Sequence, residues 1–296
     1  MSWTQLQQSL AEFDSIIGRI GVRLGEDAPI SAHLEMIREF LSDRESMDQN
    51  HHLAKWNAVD FKQFYDSVIV VSRLTDAVVA LRDQPEGTLR KRLRQVVSGS
   101  LIQDFAPHQA KDYFYELEIA RLFIRAGFTV ALREPDVVVS GNGLTRDLGM
   151  ACKYPSSEAQ LHEHFSKGYR QIANQDLDGC VVVGLDNIVF NTVFASIPRF
   201  LDFRPGDRHP LDVADALTMS AIQVLVQQRA SDYPSERPID GALLTLSVWG
   251  IWGQPAGFVG LTSWALQCDS ANAVHEDLRR VVGAVRLLDS GDIALR

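Results

Sequence analysis

Cysteine is scarce in this chain of 296 residues. The three thiols, Cys152, Cys180 and Cys268, are odd in number, widely spaced and set among apolar or strand-like neighbours. That pattern excludes a disulfide framework and a cysteine-based zinc site, and it leaves reduced core thiols. Long apolar runs are also missing, since nothing approaches the roughly 18 apolar residues of a membrane span. The opening Met1-Ser2-Trp3-Thr4-Gln5 has no basic stretch feeding an apolar one. The expectation is a soluble, cytoplasmic protein with no membrane contact. Basic charge is in deficit, with 29 Lys and Arg against 38 Asp and Glu for a net charge of −9. Broad nucleic-acid binding draws on many cationic contacts to phosphate, so it is disfavoured, while a local basic groove stays open. No phosphate-binding glycine loop, dinucleotide glycine set or GxSxG elbow is present.

What the chain does have is 46% hydrophobic residues, enough for a large core in one large or two ordinary domains. Residues 1–106 read as a helical N-terminal region. Apolar residues recur at helical spacing at Leu6, Leu10, Phe13 and Ile17, then Leu34, Ile37 and Leu41, then Phe61, Phe64, Val68 and Val71. Breaks fall at Glu26 to Pro29, at Asp43 to His51 and at Gln84 to Gly87. Four or so helices are expected, with packing and partner contact as their roles. The cluster Arg90, Lys91, Arg92 and Arg94 reads as a solvated helix face or as a phosphate contact.

Residues 107–296 follow a different pattern. A helix over 109–126 stops at Gly127, where a left-handed cap is expected. Short β-type runs follow at 128–132, 136–139 and 148–154, with Gly141-Asn142-Gly143 as a turn signal. A second helix is expected from Ser157, whose spacing to Gln160 fits a capping box, to about Gln175. Cys180 to Leu185 reads as a buried strand. Beyond it lie a loop over 204–211, a helix over 213–229, a strand hairpin within 241–266 and a closing helix over 271–288.

Helix, three-strand meander, helix and strand in that order resembles the core of the PD-(D/E)xK, or restriction-endonuclease-like, nuclease superfamily, and the fold class expected is α/β. The motif positions agree in part. Glu134-Pro135-Asp136 matches the Pro-Asp element that opens the second strand, and Met150-Ala151-Cys152-Lys153-Tyr154-Pro155 resembles the acid-x-Lys element of the third. Ala151 stands where that family has an acid. The resemblance covers residues 113–186.

The resemblance implies a metal-dependent nuclease hydrolysing phosphodiesters, with DNA as substrate and Mg²⁺ or Mn²⁺ as cofactor. Hard cations take carboxylate and carbonyl oxygens, and a bound cation activates water and stabilises phosphate charge. On that reading Glu116, Asp136 and the Cys152 carbonyl are metal ligands, while Lys153 assists the water. Strand alternation puts Asp147, Gly149, Ala151 and Lys153 on one face and Leu148, Met150 and Cys152 on the other. Asp147 cannot stand in for the missing acid, because four residues of strand span about 13 Å.

The first helix offers two acids, compared by turning about 100° per residue around its axis. Glu116 falls at the edge of the apolar stripe Tyr113, Leu117, Ala120 and Ile124, whereas Glu118 falls among Lys111, Arg121 and Arg125 on the polar side. Glu116 is therefore the candidate ligand or an edge salt bridge, and Glu118 a solvated partner of arginines. On the second helix Gln171 is a candidate that faces the site or the nucleic acid, as a glutamine does in some members of the family. Tyr169 and Arg170 read as exposed helical residues or as phosphate contacts. His51-His52 and His162-x-His164 are assigned to the surface, since neighbouring histidines on a helix diverge by about 100° or 200°.

Asp207, His209 and Asp212 read as loop residues, and Trp249 and Trp252 as strand aromatics of the core. The alternative to a nuclease is a catalytically inactive module of the same fold that binds nucleic acid or protein, because Ala151 removes a ligand. A third reading is a scaffold of another fold. A homodimer, or a protein partner held through the helical region, is expected.

Overall fold

A computed structural model gives the fold and describes residues 3–56, 61–101, 109–189, 200–202, 212–213, 215–220, 223, 241–252, 257–267 and 273–289. The chain divides into two compact units, one with the described residues of 3–101 and 109–118, the other with those from 119 onward. One crossing between the units falls inside a helix, between residues 118 and 119.

The helical unit contains α1 (Trp3–Arg19), α2 (Pro29–Ser46), α3 (Gln49–Trp56), α4 (Phe61–Ala80), α5 (Glu86–Val97) and the first turns of α6 (Gln109–Arg125). The apolar stripes of the sequence are its core. Leu6, Leu10, Phe13 and Ile17 of α1, Leu34, Ile37 and Leu41 of α2, and Val68, Val71 and Leu74 of α4 are all buried, and α1 and α2 both pack on α4. Each such side chain contributes about 1.5–3 kcal/mol on burial. Proline punctuates the unit, with Pro29 in the first turn of α2 and Pro85 just ahead of α5. Neither position has an intrahelical bond to lose.

The sheet unit begins with the second part of α6, which stops at Gly127 with a φ of +85°, the left-handed cap read from the sequence. Then come β1 (Thr129–Ala131), β2 (Val137–Ser140) and β3 (Leu148–Lys153), paired antiparallel in order. After a single 3-10 turn at Glu158–Gln160, α7 (Leu161–Ala173) leads to β4 (Asp178–Gly184), which pairs parallel to β3. The meander, helix and strand of the sequence are therefore present. The expected capping box is not: Gln160 Oε1 accepts from the Ser156 backbone N–H at 3.0 Å and hydroxyl at 2.9 Å, and Ser157 makes no side-chain cap. A 3-10 turn rather than an α-turn follows, which shifts the partner back by one residue.

A one-turn helix α8 (Asp186–Ile188) and a short β5 (Phe200–Asp202) precede the long strands β6 (Ala242–Trp252) and β7 (Gly257–Gln267), and α9 (Ala273–Asp289) packs on β7. The expected hairpin is real, since β6 and β7 pair antiparallel along their whole length. Its other edge extends the sheet, with residues 242–245 parallel to β4 and residues 249–251 parallel to β5. The described residues of 212–223 are helical, while the loop at 203–211, the rest of that helix, the hairpin turn at 253–256, Cys268 and the side chains of Trp249 and Trp252 lie outside the described residues.

Both faces of this sheet are covered. Ala151, Val181, Val183, Leu244, Leu246 and Ala265 form one apolar cluster with Leu161, Phe165 and Ile172 of α7. Trp264, one residue from Ala265 and so on the opposite face, is fully buried and lies 5.9 Å from the ring of Phe123 in α6. The fold class is mixed α/β with an N-terminal helical region. No helix among the described residues is long and apolar enough to cross a membrane.

Candidate functional site

The end of β3 and the start of β2 bring together three of the groups singled out in the sequence. Val137 is in register with Met150, so Asp136, just before β2, lies beside the last residues of β3. Asp136 Oδ2 accepts the Cys152 backbone N–H at 2.8 Å and the Lys153 ammonium at 3.1 Å, and the same ammonium donates to the Cys152 carbonyl at 2.8 Å. Asp136 is only 8% exposed. Burial pushes its carboxyl above the ordinary value of 3.8, opposed by Lys153 and by the Cys152 N–H.

The site has no second carboxylate from β3. Ala151 is fully buried under α7, where Gly168 lets the helix approach so closely that a Cβ at position 168 would lie 3.3 Å from the Ala151 Cβ and 2.8 Å from Val181. Alternation had put Ala151 on the polar face with Asp147 and Lys153. That face is apolar core in the middle of the strand and turns polar only where Lys153 reaches its end.

Glu116 lies in the helical unit. It is 8% exposed, and its Oε2 accepts from Arg92 Nε of α5 at 3.0 Å. The compensation a buried glutamate requires thus comes from an arginine, and Arg92 itself is turned inward rather than on a solvated face. Glu118 differs from the expectation outright. It is 6% exposed and forms a two-pronged pair with Arg73 of α4, whose guanidinium also lies 5.1 Å from the Phe114 ring centroid. The polar arc of α6 is interior because the other helices of its own unit cover it, a fact that periodicity along one helix does not carry.

A divalent cation of the kind the resemblance implies asks for several hard oxygen donors. Among the described residues no group of three His, Cys, Asp or Glu side chains is placed to hold one. Asp136 and the Cys152 carbonyl supply two oxygens, and the Lys153 ammonium already bridges them. The donor set does not fit a resident metal centre.

Lys153 also opens into a groove of about 500 Å³ along α7, lined by Lys153, His164, Lys167, Arg170, Gln171 and Asn174. The candidate Gln171 is therefore beside Lys153. Arg170 belongs to the same groove, whereas Tyr169 packs on Phe165 with ring centroids 6.1 Å apart. His164 is half-buried in the wall of this groove, and burial, with Lys153 and Lys167 nearby, holds its imidazole below the usual 6.5. Residues 164, 167, 171 and 174 repeat at helical spacing, so the polar stripe is legible in the sequence.

No family model, curated protein or solved structure matches this chain.

Proposed function

We propose that this chain is a nuclease-fold module that binds nucleic acid, DNA in the first instance, without cutting it. The observation that carries the reading is the Lys153 ammonium, held between Asp136 Oδ2 and the Cys152 carbonyl and lining a groove that has no carboxylate among its described lining residues. An ammonium there holds a phosphate oxygen by charge and hydrogen bond. It does not lower the pKa of an attacking water as a divalent ion does. Ala151, locked into the core beneath Gly168, supports the same reading, because the missing acid has no room to be restored by a small shift.

The binding is local. With a net charge of −9 the chain has no global attraction for a polyanion, so few phosphates are engaged and affinity falls only gently with salt, by roughly one power of salt concentration per phosphate. The test is fluorescence anisotropy of labelled DNA with the full-length protein in EDTA, beside gel assays of the same DNA in Mg²⁺ and Mn²⁺. Binding in EDTA that Arg170→Ala weakens, with intact DNA in both metals, supports the module.

One observation favours the rival reading, metal-dependent hydrolysis with Glu116, Asp136 and Cys152 as ligands and Lys153 and Gln171 assisting. Asp136, Cys152 and Lys153 do converge at the strand ends. Cleavage lost in Asp136→Ala and Glu116→Ala would establish it.

A further inference from the structure

The groove contains more than cations. The side-chain oxygen of Gln171 is buried and has no hydrogen-bond partner among the described residues, and neither has Nδ1 of His164. Such an acceptor is costly to leave unmade, and it is matched by a ligand that donates. The cations are partly engaged. Lys153 is on Asp136, Lys167 makes an exposed pair with Glu163 at 2.6 Å, and Arg170 gives its Nε to the Ser166 carbonyl at 3.2 Å. The Lys167 pair is exposed enough to exchange for a phosphate at little cost. Arg170 also lies in the field of the Glu163 carboxylate.

We infer that the groove takes a single unpaired nucleotide, its phosphate on Lys153 and Arg170 and its base donating to Gln171 Oε1. This rests on the nucleic-acid-binding reading above. Every base carries an N–H donor on its Watson–Crick edge, and pairing occupies it; the amino hydrogens that paired A, C and G still show lie inside the duplex grooves, out of reach of a buried acceptor, so the acceptor favours an unpaired base. Asn174, which caps the C-terminal end of α7, supplies a second amide to the same groove. A volume of about 500 Å³ suits one nucleotide rather than a turn of duplex.

The experiment measures anisotropy of the full-length protein with three labelled probes of equal length. These are a mixed-sequence single strand, the same strand in duplex, and a strand in which stable abasic residues replace the bases. The wild type is expected to prefer the single strand over both others by about tenfold, the scale of one buried hydrogen bond regained. Gln171→Leu keeps the volume and removes the acceptor, and the preference is expected to fall to near one. Gln171→Glu keeps an acceptor oxygen and is expected to retain the preference with weaker binding overall, which guards against a loss due to misfolding. Equal binding of the three probes by the wild type, or a preference that survives Gln171→Leu, overturns the inference and leaves the module reading standing. Failure of the wild type to bind any probe overturns both.

Discussion

Glu116 in the helical unit and Asp136 in the sheet unit are buried to the same extent, each 8% exposed, and each is bonded to a cation, Arg92 at 3.0 Å and Lys153 at 3.1 Å. The difference lies in where the cation stands. Arg92 is on α5, and both members of its pair are almost wholly covered. Lys153 is the last residue of a strand, its acid has a second donor in the Cys152 N–H, and its ammonium lines an open groove. A buried charged pair is therefore no functional signal by itself; access to it is.

The largest effect expected is from Ala151→Glu, which restores the motif acid on paper. It places a carboxylate in the apolar cluster under Gly168, and it is expected to destabilise the fold by about 3–5 kcal/mol through overpacking and unpaired burial. Urea denaturation measures this, and gain of metal-dependent cleavage by a folded variant would break the comparison. Arg92→Ala removes the cation bonded to buried Glu116 and is expected to cost about 3 kcal/mol. Lys153→Ala leaves Asp136 its backbone donor and is expected to cost about 1–2 kcal/mol. The reverse order in denaturation would mean that the two sites had been told apart wrongly. Gly168→Ala, which forces α7 off β4, is expected to cost about 2 kcal/mol and to weaken DNA binding by displacing Arg170 and Gln171 from the groove.

The smallest effect is in pH. His33 of α2, whose Nδ1 bonds Ser67 Oγ at 2.8 Å, and His164 are both held below the usual 6.5 by burial. A lowered folded value means that the unfolded chain binds more protons below 6.5, so the contribution of each to stability is present above that pH and is lost as pH falls. Melting temperatures of His33→Gln and His164→Gln across pH 5 to 8, on the order of the histidine range, are each expected to flatten the decline. Only His164 also touches the groove, beside Lys153 and Lys167 with Glu163 opposing. DNA affinity is therefore expected to rise as pH falls in the wild type and in His33→Gln but not in His164→Gln.

Much of the fold was legible because its signals are local. The Gly127 cap, the Gly141-Asn142-Gly143 turn and the apolar stripes of α1, α2 and α4 each depend on neighbours a few residues away. The parallel pairing of β6 with β4 and β5 was not legible, because register between distant strands leaves no local pattern. The site was half legible. Asp136 and Lys153 are bonded to each other, a contact the resemblance implied, and Gln171 lines the same groove as Lys153. Glu118 and Ala151 were misplaced for one reason, that a face polar by periodicity can still be covered by another element. His164, Lys167 and Asn174 form a stripe with Gln171 at helical spacing, but a polar stripe on a helix is usually a solvated face and so carries no signal of a groove.

The most direct test of the account is the fate of labelled DNA mixed with the full-length wild type in EDTA and then in Mg²⁺ or Mn²⁺. The account predicts a complex that forms in EDTA and DNA that stays whole in either metal, whereas cleavage abolished by Asp136→Ala would contradict it.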